Sequence, residues 1–284
     1  MSSTHSLGSL LKASALPSNE AKILLAFILD KHYQLPRSAL LSKDDLVLNP
    51  TALAEWCALE SRRLSGEPIA YLLGSKGFYN IELNVAPGVL IPRPETELLV
   101  DIALAEIQRL GGRATILDLG TGSGAIALAI ANNAEHVRVL ATDQSKEALT
   151  IAQLNAQALG LQNQVQFAQG SWYEALNPGE LWDIIVSNPP YITQNDAHLS
   201  QGDLRFEPSS ALTDGGNGLR CLESIISEAG THLKPGGLLA VEHGYDQSEE
   251  VHQLMQNASM VGIELHRDLA GHGRITSGRC SVPK

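Results

Sequence analysis

The chain has 284 residues, 44% hydrophobic and 18% charged, which suits one large globular domain or two modest ones with a buried core. Apolar runs such as Ile23 to Leu29 fall far short of the ~20 residues that span a bilayer, and Met1 to Leu11 has neither a basic n-region nor an apolar h-region, so no span and no export signal are expected. The net charge of −11 is uneven: residues 1–77 hold eight Lys/Arg against seven Asp/Glu and the remainder twelve against twenty-four, a field that opposes a phosphate backbone.

The first part of the chain reads as helical. Leu7, Leu10 and Leu11 have i, i+3, i+4 spacing, as do Leu24, Phe27 and Ile28 after the Pro17-Ser18 start signal. A third helix follows Thr51, with Leu53, Trp56 and Cys57 facing inward and Gly66 near its end. The period then changes. Phe78, Ile81, Leu83 and Val85 suggest a strand that turns at Ala86-Pro87-Gly88 into Val89-Leu90-Ile91, and this hairpin is the expected joint between two domains. The expected division is a helical domain over residues 1–77, a hairpin linker over 78–93 and a catalytic domain over 94–284.

From Thr115 onward, strand, turn and helix repeat. Strands are expected at Thr115–Leu119, Val137–Thr142, Val165–Ala168, Asp183–Ser187, Leu238–Glu242 and Ile263–His266, with helices at Ser145–Leu159 and Gly218–His232. This alternation implies an α/β fold with a mostly parallel sheet, and ligands in such sheets sit beyond the carboxyl ends of the strands.

Two features carry chemistry there. Asp118-Leu119-Gly120-Thr121-Gly122-Ser123-Gly124 follows the first strand and opens a helix; its glycines allow a tight turn and let a ligand approach bare backbone. Asp143 ends the next strand, where a carboxylate can accept from two ribose hydroxyls. Gly120, Gly122 and Ala125 also satisfy the looser dinucleotide fingerprint, so this pair alone indicates only a nucleoside-bearing cofactor. The deciding feature is Asn188-Pro189-Pro190-Tyr191 after the strand Asp183–Ser187. Prolines stiffen the segment and remove donors, so the Asn188 side-chain oxygen and the Pro189 carbonyl are set to accept from one –NH2 group, with Tyr191 as an aromatic wall. A methyl donor opposite a nitrogen acceptor needs this arrangement; a nicotinamide dehydrogenase does not. Asn and Pro are also common loop residues, and position after a strand in a sheet with a glycine loop is what separates the two readings.

Gly120 to Gly124 with Asp143 resembles the donor site of class I methyltransferases, a Rossmann-like fold, and Asn188 to Tyr191 resembles the acceptor motif of amino-group methyltransferases acting on adenine, cytosine or glutamine. Glu67-Pro-Ile-Ala-Tyr-Leu-Leu-Gly74 leading to Phe78-Tyr79, Ile91-Pro-Arg-Pro-Glu-Thr-Glu97 and Arg205-Phe-Glu-Pro208 resemble the HemK/PrmC family over nearly the whole chain. The resemblance implies an S-adenosylmethionine-dependent enzyme, with S-adenosylhomocysteine as product, that methylates the glutamine of the Gly-Gly-Gln tripeptide in class 1 peptide chain release factors. It also implies a small helical N-terminal domain that binds the substrate. Gly120, Thr121, Gly122, Ser123 and Gly124 would line the methionine part of the donor, Asp143 would bind its ribose, and Trp172 would lie against the adenine. Asn188, Pro189, Pro190 and Tyr191 would hold the acceptor, with Asn188 also near the donor. One departure is Ser171, where an Asp commonly precedes this Trp in the family's pattern.

Rival readings are glutamine methylation of a ribosomal protein, methylation of an exocyclic amine such as adenine's in a flipped or single-stranded nucleotide, and a cofactor-binding regulator without catalysis. Arg93 to Glu97 favours the release-factor branch, and the acidic balance disfavours nucleic acid. The nine histidines offer no pair with metal-ligand spacing, and no metal is expected. Cys57, Cys221 and Cys280 are scattered and odd in number, which fits a reducing, cytoplasmic setting rather than a disulfide framework. Arg93, Glu95 and Glu97 are expected as a structural ion-pair cluster at the domain joint, and His243 as a packed or exposed residue.

Overall fold

The structure is a computed structural model and describes residues 5–282; Met1 to Thr4, part of the segment searched for an export signal, and Pro283-Lys284, the end of the catalytic region expected over 94–284, lie outside the described residues. The chain forms two compact units, Met1–Gly74 and Ser75–Lys284.

The first unit is all helical: α1 (Leu7–Ala13), α2 (Ser18–Tyr33), α3 (Ala39–Ser42), α4 (Pro50–Leu64) and α5 (Ile69–Leu73). α2 buries Ala21, Leu24, Leu25, Ile28 and Leu29, the i, i+3, i+4, i+7, i+8 stripe of a helix with one apolar face. Asn49 starts α4 by accepting from the Ala52 N–H at 2.9 Å, and Pro50 at the first helical position loses no intrahelical bond. Trp56 is buried against α2's stripe, whereas Cys57, expected inward, is exposed, one residue too far around the helix. Arg63 grips Glu20 through two hydrogen bonds of 2.7 and 2.9 Å, tying the end of α4 to the start of α2.

The second unit opens with an antiparallel hairpin, β1 (Ser75–Phe78) and β2 (Ile81–Asn84). The chain thus reverses at Tyr79-Asn80 and not at Ala86-Pro87-Gly88, and Val89 to Ile91 form no strand. No glycine announces this turn. Tyr79 sits at φ +54° while its N–H donates to Glu97 and its hydroxyl to Asp101, both at 2.8 Å, and Asn80 exchanges two 2.9 Å amide bonds with Asn133. Phe78, Ile81 and Leu83 belong to the apolar core of this unit, together with Leu99, Val100 and Ile116.

After a 3-10 turn at Pro94–Thr96 the elements alternate: α6 (Glu97–Arg109), β3 (Arg113–Leu119), α7 (Ala125–Asn133), β4 (His136–Asp143), α8 (Lys146–Ala158), β5 (Val165–Gln169), β6 (Trp182–Ser187), α9 (Arg220–His232), β7 (Leu233–Glu242), α10 (Ser248–Asn257), β8 (Val261–Arg267) and β9 (Gly273–Arg279). The sheet order is β5-β4-β3-β6-β7-β9-β8, parallel from β5 to β7 and antiparallel where β9 enters between β7 and β8. Each strand expected from Thr115 onward lies inside an observed one. β9 was not expected: Arg-Ile-Thr-Ser-Gly lacks an apolar run, yet Ile275, Thr276 and Ser277 are buried, and a Cβ on Gly278 would meet Met255 and Met260 at 3.1 and 3.3 Å.

Glu106 of α6 is nearly buried and bridges two arginines, Arg109 of its own helix and Arg279 of β9, with bonds of 2.6–2.8 Å. Burial pushes its carboxyl up, but the two guanidinium groups outweigh that and hold it at about 2, below its ordinary 4.5. Glu106→Ala should cost about 1–2 kcal/mol at neutral pH, discounted because both arginines are partly solvated. A depressed carboxylate stabilises the fold above its ordinary value and loses that contribution as pH falls towards 2, so the gap between wild type and variant should close over that window. Urea denaturation at several pH values measures it; a gap that persists at pH 2 would contradict the assignment.

Candidate active site

β3 pairs with β4 through Leu119↔Thr142 and with β6 through Leu119↔Ser187, so three neighbouring strands end at one level. The glycine loop, Asp143 and Asn188 therefore leave the sheet side by side. The Gly120 and Thr121 N–H groups both donate to the Thr142 carbonyl at 2.9 Å, folding the turn back over β4. The Thr121 hydroxyl donates to Asp118 Oδ2 at 2.6 Å, and the Gly122 N–H to Asp143 Oδ2 at 2.9 Å. Asp143 Oδ1 accepts from the Ser145 N–H at 2.8 Å, and Ser145 in turn caps α8. Burial raises the Asp143 carboxyl above its ordinary value against these backbone donors.

A cleft of about 250 Å³ opens here, lined by Gly120, Asp143, Ser171, Trp172, Asn188 and Pro190 among others. Gly120 stands at φ +72°, and a Cβ on it would lie 3.5 Å from the Trp172 ring. Trp172 itself has φ +47°, a costly conformation for a bulky residue. Ser171 and Glu174 hold it there by a reciprocal capping box. Thr121, Gly122, Ser123 and Gly124 do not line the cleft: Thr121 and Ser123 are buried, and the Thr121 hydroxyl and Gly122 N–H are taken up by Asp118 and Asp143.

A second cavity, of about 100 Å³, is lined by Arg93, Asn188, Pro189, Tyr191, Leu204 and Leu212, among others. Asn188 lines both cavities, with Pro190 on the first and Pro189 on the second. Tyr191 borders the second only. Its hydroxyl donates to Glu242 Oε1 at 3.0 Å, and burial foremost, with the Glu242 charge, raises its pKa. Its carbonyl accepts from Gln247 Nε2 at 3.0 Å and would lie 2.3 Å from a Cβ on Gly218, so only glycine fits at that position, which itself adopts φ +83°.

Three further residues build the site and were not singled out as such in the sequence. Thr96, nearly buried, receives Asn188 Nδ2 on its hydroxyl at 3.0 Å. Glu242, also nearly buried, is pushed by burial up to about 7, against the pull of Thr96, Tyr191 and Arg274. Glu207, its side chain fully buried, takes Arg93 as ion-pair partner and accepts from the Ile91 N–H at 2.9 Å, joining two segments that wall both cavities. The expected Arg93–Glu95–Glu97 ion-pair cluster is corrected accordingly: Arg93 pairs with Glu207, and Glu97 accepts from the Tyr79 backbone. A polar but uncharged threonine inside an acidic run was the available signal for Thr96. His243 is fully buried, with its ring nitrogens within 2.8 and 2.9 Å of the Gly244 carbonyl and the Thr276 hydroxyl.

The fold matches a solved methyltransferase from Pyrococcus furiosus with a TM-score of 0.54 at 18% identity, covering 78% of this chain and 98% of that one. A family model for the methyltransferase small domain matches residues 95–219, and one for the PrmC N-terminal domain matches residues 5–74. A protein of Xylella fastidiosa named release factor glutamine methyltransferase is 48% identical over 92% of both chains. Its namesake in Bordetella pertussis is 47% identical over 96% of this chain and 98% of its own. The chain belongs to the release factor glutamine methyltransferase family. Among the described residues no helix is long and apolar enough to cross a membrane.

The glycine loop carries a cost visible in Asp118, which is fully buried, has one oxygen without a partner, and is raised by burial to about 7 from 3.8. The folded state then keeps a proton that the unfolded chain has released, so this group's contribution to stability falls as pH rises from about 4 to about 7. Asp118→Asn keeps an acceptor for Thr121 and removes the titration. Its melting temperature should therefore decline less than that of the wild type between about pH 5 and about pH 8. Parallel melting curves for the two proteins would refute the burial effect.

Proposed function

We propose that the chain transfers a methyl group from S-adenosylmethionine to the side-chain amide nitrogen of the glutamine in the Gly-Gly-Gln tripeptide of class 1 release factors. The observation that carries this reading is that Asn188 stands between two cavities and lines both. Donor and acceptor can thus meet at one side chain.

The larger cleft fits the donor. Gly120 offers bare backbone, the Trp172 ring a flat apolar face, and each Asp143 oxygen accepts one backbone N–H while keeping a lone pair for a ribose hydroxyl. The donor supplies an electrophilic methyl on a sulfonium and leaves as S-adenosylhomocysteine. The smaller cavity takes the amide. An amide nitrogen is a weak nucleophile, its lone pair shared with the carbonyl, so the protein's contribution is orientation and charge. Asn188 Oδ1 and the Pro189 carbonyl would accept the two N–H bonds, fix the nitrogen's plane, and stabilise the positive charge that grows on it. No strong base is required, because the nitrogen becomes acidic as it is methylated and can release its proton afterwards. The relatives' name supplies the substrate, and the 1–74 unit is the natural candidate to bind the rest of the release factor. A partner in translation puts the work in the cytoplasm.

Asp143→Ala should weaken donor binding roughly ten- to a hundredfold by removing a charged acceptor, with the fold intact. Calorimetric titration reads it, and unchanged affinity contradicts the donor site. Asn188→Ala should keep most of that affinity but lose about a hundredfold or more in single-turnover rate, as when a preorganised polar contact is removed. Mass spectrometry of a purified release factor after incubation with enzyme and donor should find one added methyl on the tripeptide glutamine. An unmodified factor, with efficient methylation of a ribosomal protein or of adenine instead, would overturn the substrate assignment.

A further inference from the structure

A methyl group can pass from donor to acceptor only where the two cavities meet, because displacement needs the attacking nitrogen and the methyl carbon about 3–3.5 Å apart and in line with sulfur. Among the described residues, three line both cavities: Leu90, Asn188 and Ala211. They frame a neck. Asn188 is its polar member, fixed by the 3.0 Å bond from Nδ2 to the Thr96 hydroxyl. Leu90 and Ala211 are its apolar members, with no side-chain group that hydrogen-bonds, ionises or reacts.

The neck is braced. Leu90 precedes Ile91, whose N–H is held at 2.9 Å by Glu207, and Glu207 also pairs with Arg93. Ala211 lies on the same segment as Glu207, and its N–H donates to the Pro208 carbonyl at 2.9 Å. The next carbonyl, that of Leu212, accepts from the Ile192 N–H at 2.9 Å, which ties this wall to the chain leaving Tyr191. One carboxylate with a fully buried side chain thus joins the two apolar sides of the neck, and parting them would strip a buried charge of its partners.

We propose that Leu90 and Ala211 set the size of the group this protein transfers: the neck passes a methyl and holds back larger alkyl groups on the same sulfonium. The proposal rests on the methyl-transfer reading of the site. The chemistry alone imposes no such limit. The nitrogen lone pair bonds to the first carbon of the alkyl group as the carbon–sulfur bond breaks. The electron pair of that bond stays on sulfur, giving S-adenosylhomocysteine, and the surplus proton on nitrogen goes to solvent. An allyl group is displaced readily, because its double bond stabilises the transition state, so a block against it is steric.

The probe is the S-allyl analogue of S-adenosylmethionine, compared with S-adenosylmethionine itself in single-turnover reactions on a purified release factor, read by mass spectrometry. Calorimetric affinity for S-adenosylhomocysteine, which carries no transferable group, reports the donor cleft separately. The wild type should transfer allyl about a hundredfold or more slowly than methyl, since one carbon too many in a fitted apolar site costs roughly ten- to two-hundredfold. Leu90→Ala and Ala211→Gly should each raise the allyl-to-methyl rate ratio by roughly tenfold or more, with S-adenosylhomocysteine affinity at the wild-type level. Ala211→Val should do the reverse, slowing methyl transfer at unchanged affinity. Opposite responses at one position separate a steric limit from general loosening, and Ala211→Gly carries the expectation should Leu90→Ala fail to fold. A wild-type allyl rate close to its methyl rate, an unchanged ratio in the widened variants, methyl transfer untouched by Ala211→Val, or a ratio that rises only as S-adenosylhomocysteine affinity falls would overturn the proposal. Failure of the wild-type protein to methylate the factor with S-adenosylmethionine would instead overturn the functional reading beneath it.

Discussion

Parallel pairing of β3 with β4 on one side and β6 on the other is the constraint from which the site follows. Parallel neighbours end at the same level, and each must be followed by a segment that leaves the sheet before the chain can return. Asp143 follows Gly120 to Gly124 by 19 to 23 residues along the chain, and Asn188 follows Asp143 by 45, yet they emerge as neighbours because Leu119 is registered against both Thr142 and Ser187. The buried apolar strands that enforce this register, among them Ile116, Leu117, Val139, Ile184 and Ile185, contribute nothing to the chemistry except its location.

Around that edge the protein uses carboxylates as structural parts. Glu97 holds a left-handed turn at Tyr79, Glu207 joins the two loops that wall the cavities, and Asp143 gathers the N–H groups of two turns. The acidic balance of residues beyond 77 is thus not only a solvated surface; part of it is turned inward to hold backbone that has no sheet or helix to bond to. The same inward placement raises Asp118 and Glu242 towards neutrality, since little compensating positive charge reaches them.

Much of this was legible beforehand. The helical stripe of α2, the strand–helix alternation after Thr115, the turn chemistry of Gly120 to Gly124 and the stiffness of Asn188 to Tyr191 are local properties, fixed by spacing, glycine and proline. They determined the fold class and the position of the candidate site, and with the family resemblance they pointed to the reaction. The hairpin was misplaced because its turn is stabilised by Glu97, Asp101 and Asn133, residues remote in the chain, and carries no glycine. β9 was missed because a strand enclosed between two others needs no apolar alternation, only residues small enough to fit beneath Met255 and Met260.

The sequence by itself, then, determined most of the helices, strands and stiff turns, because those preferences arise from each residue and its near neighbours. Only the tertiary structure decided which carboxylate faces which donor. Arg93 sits two residues from Glu95 and four from Glu97 yet pairs with Glu207, and Thr96 meets Asn188 across ninety-two positions. Charge attraction and hydrogen bonding act through space, and sheet register, not chain order, sets the distances over which they act.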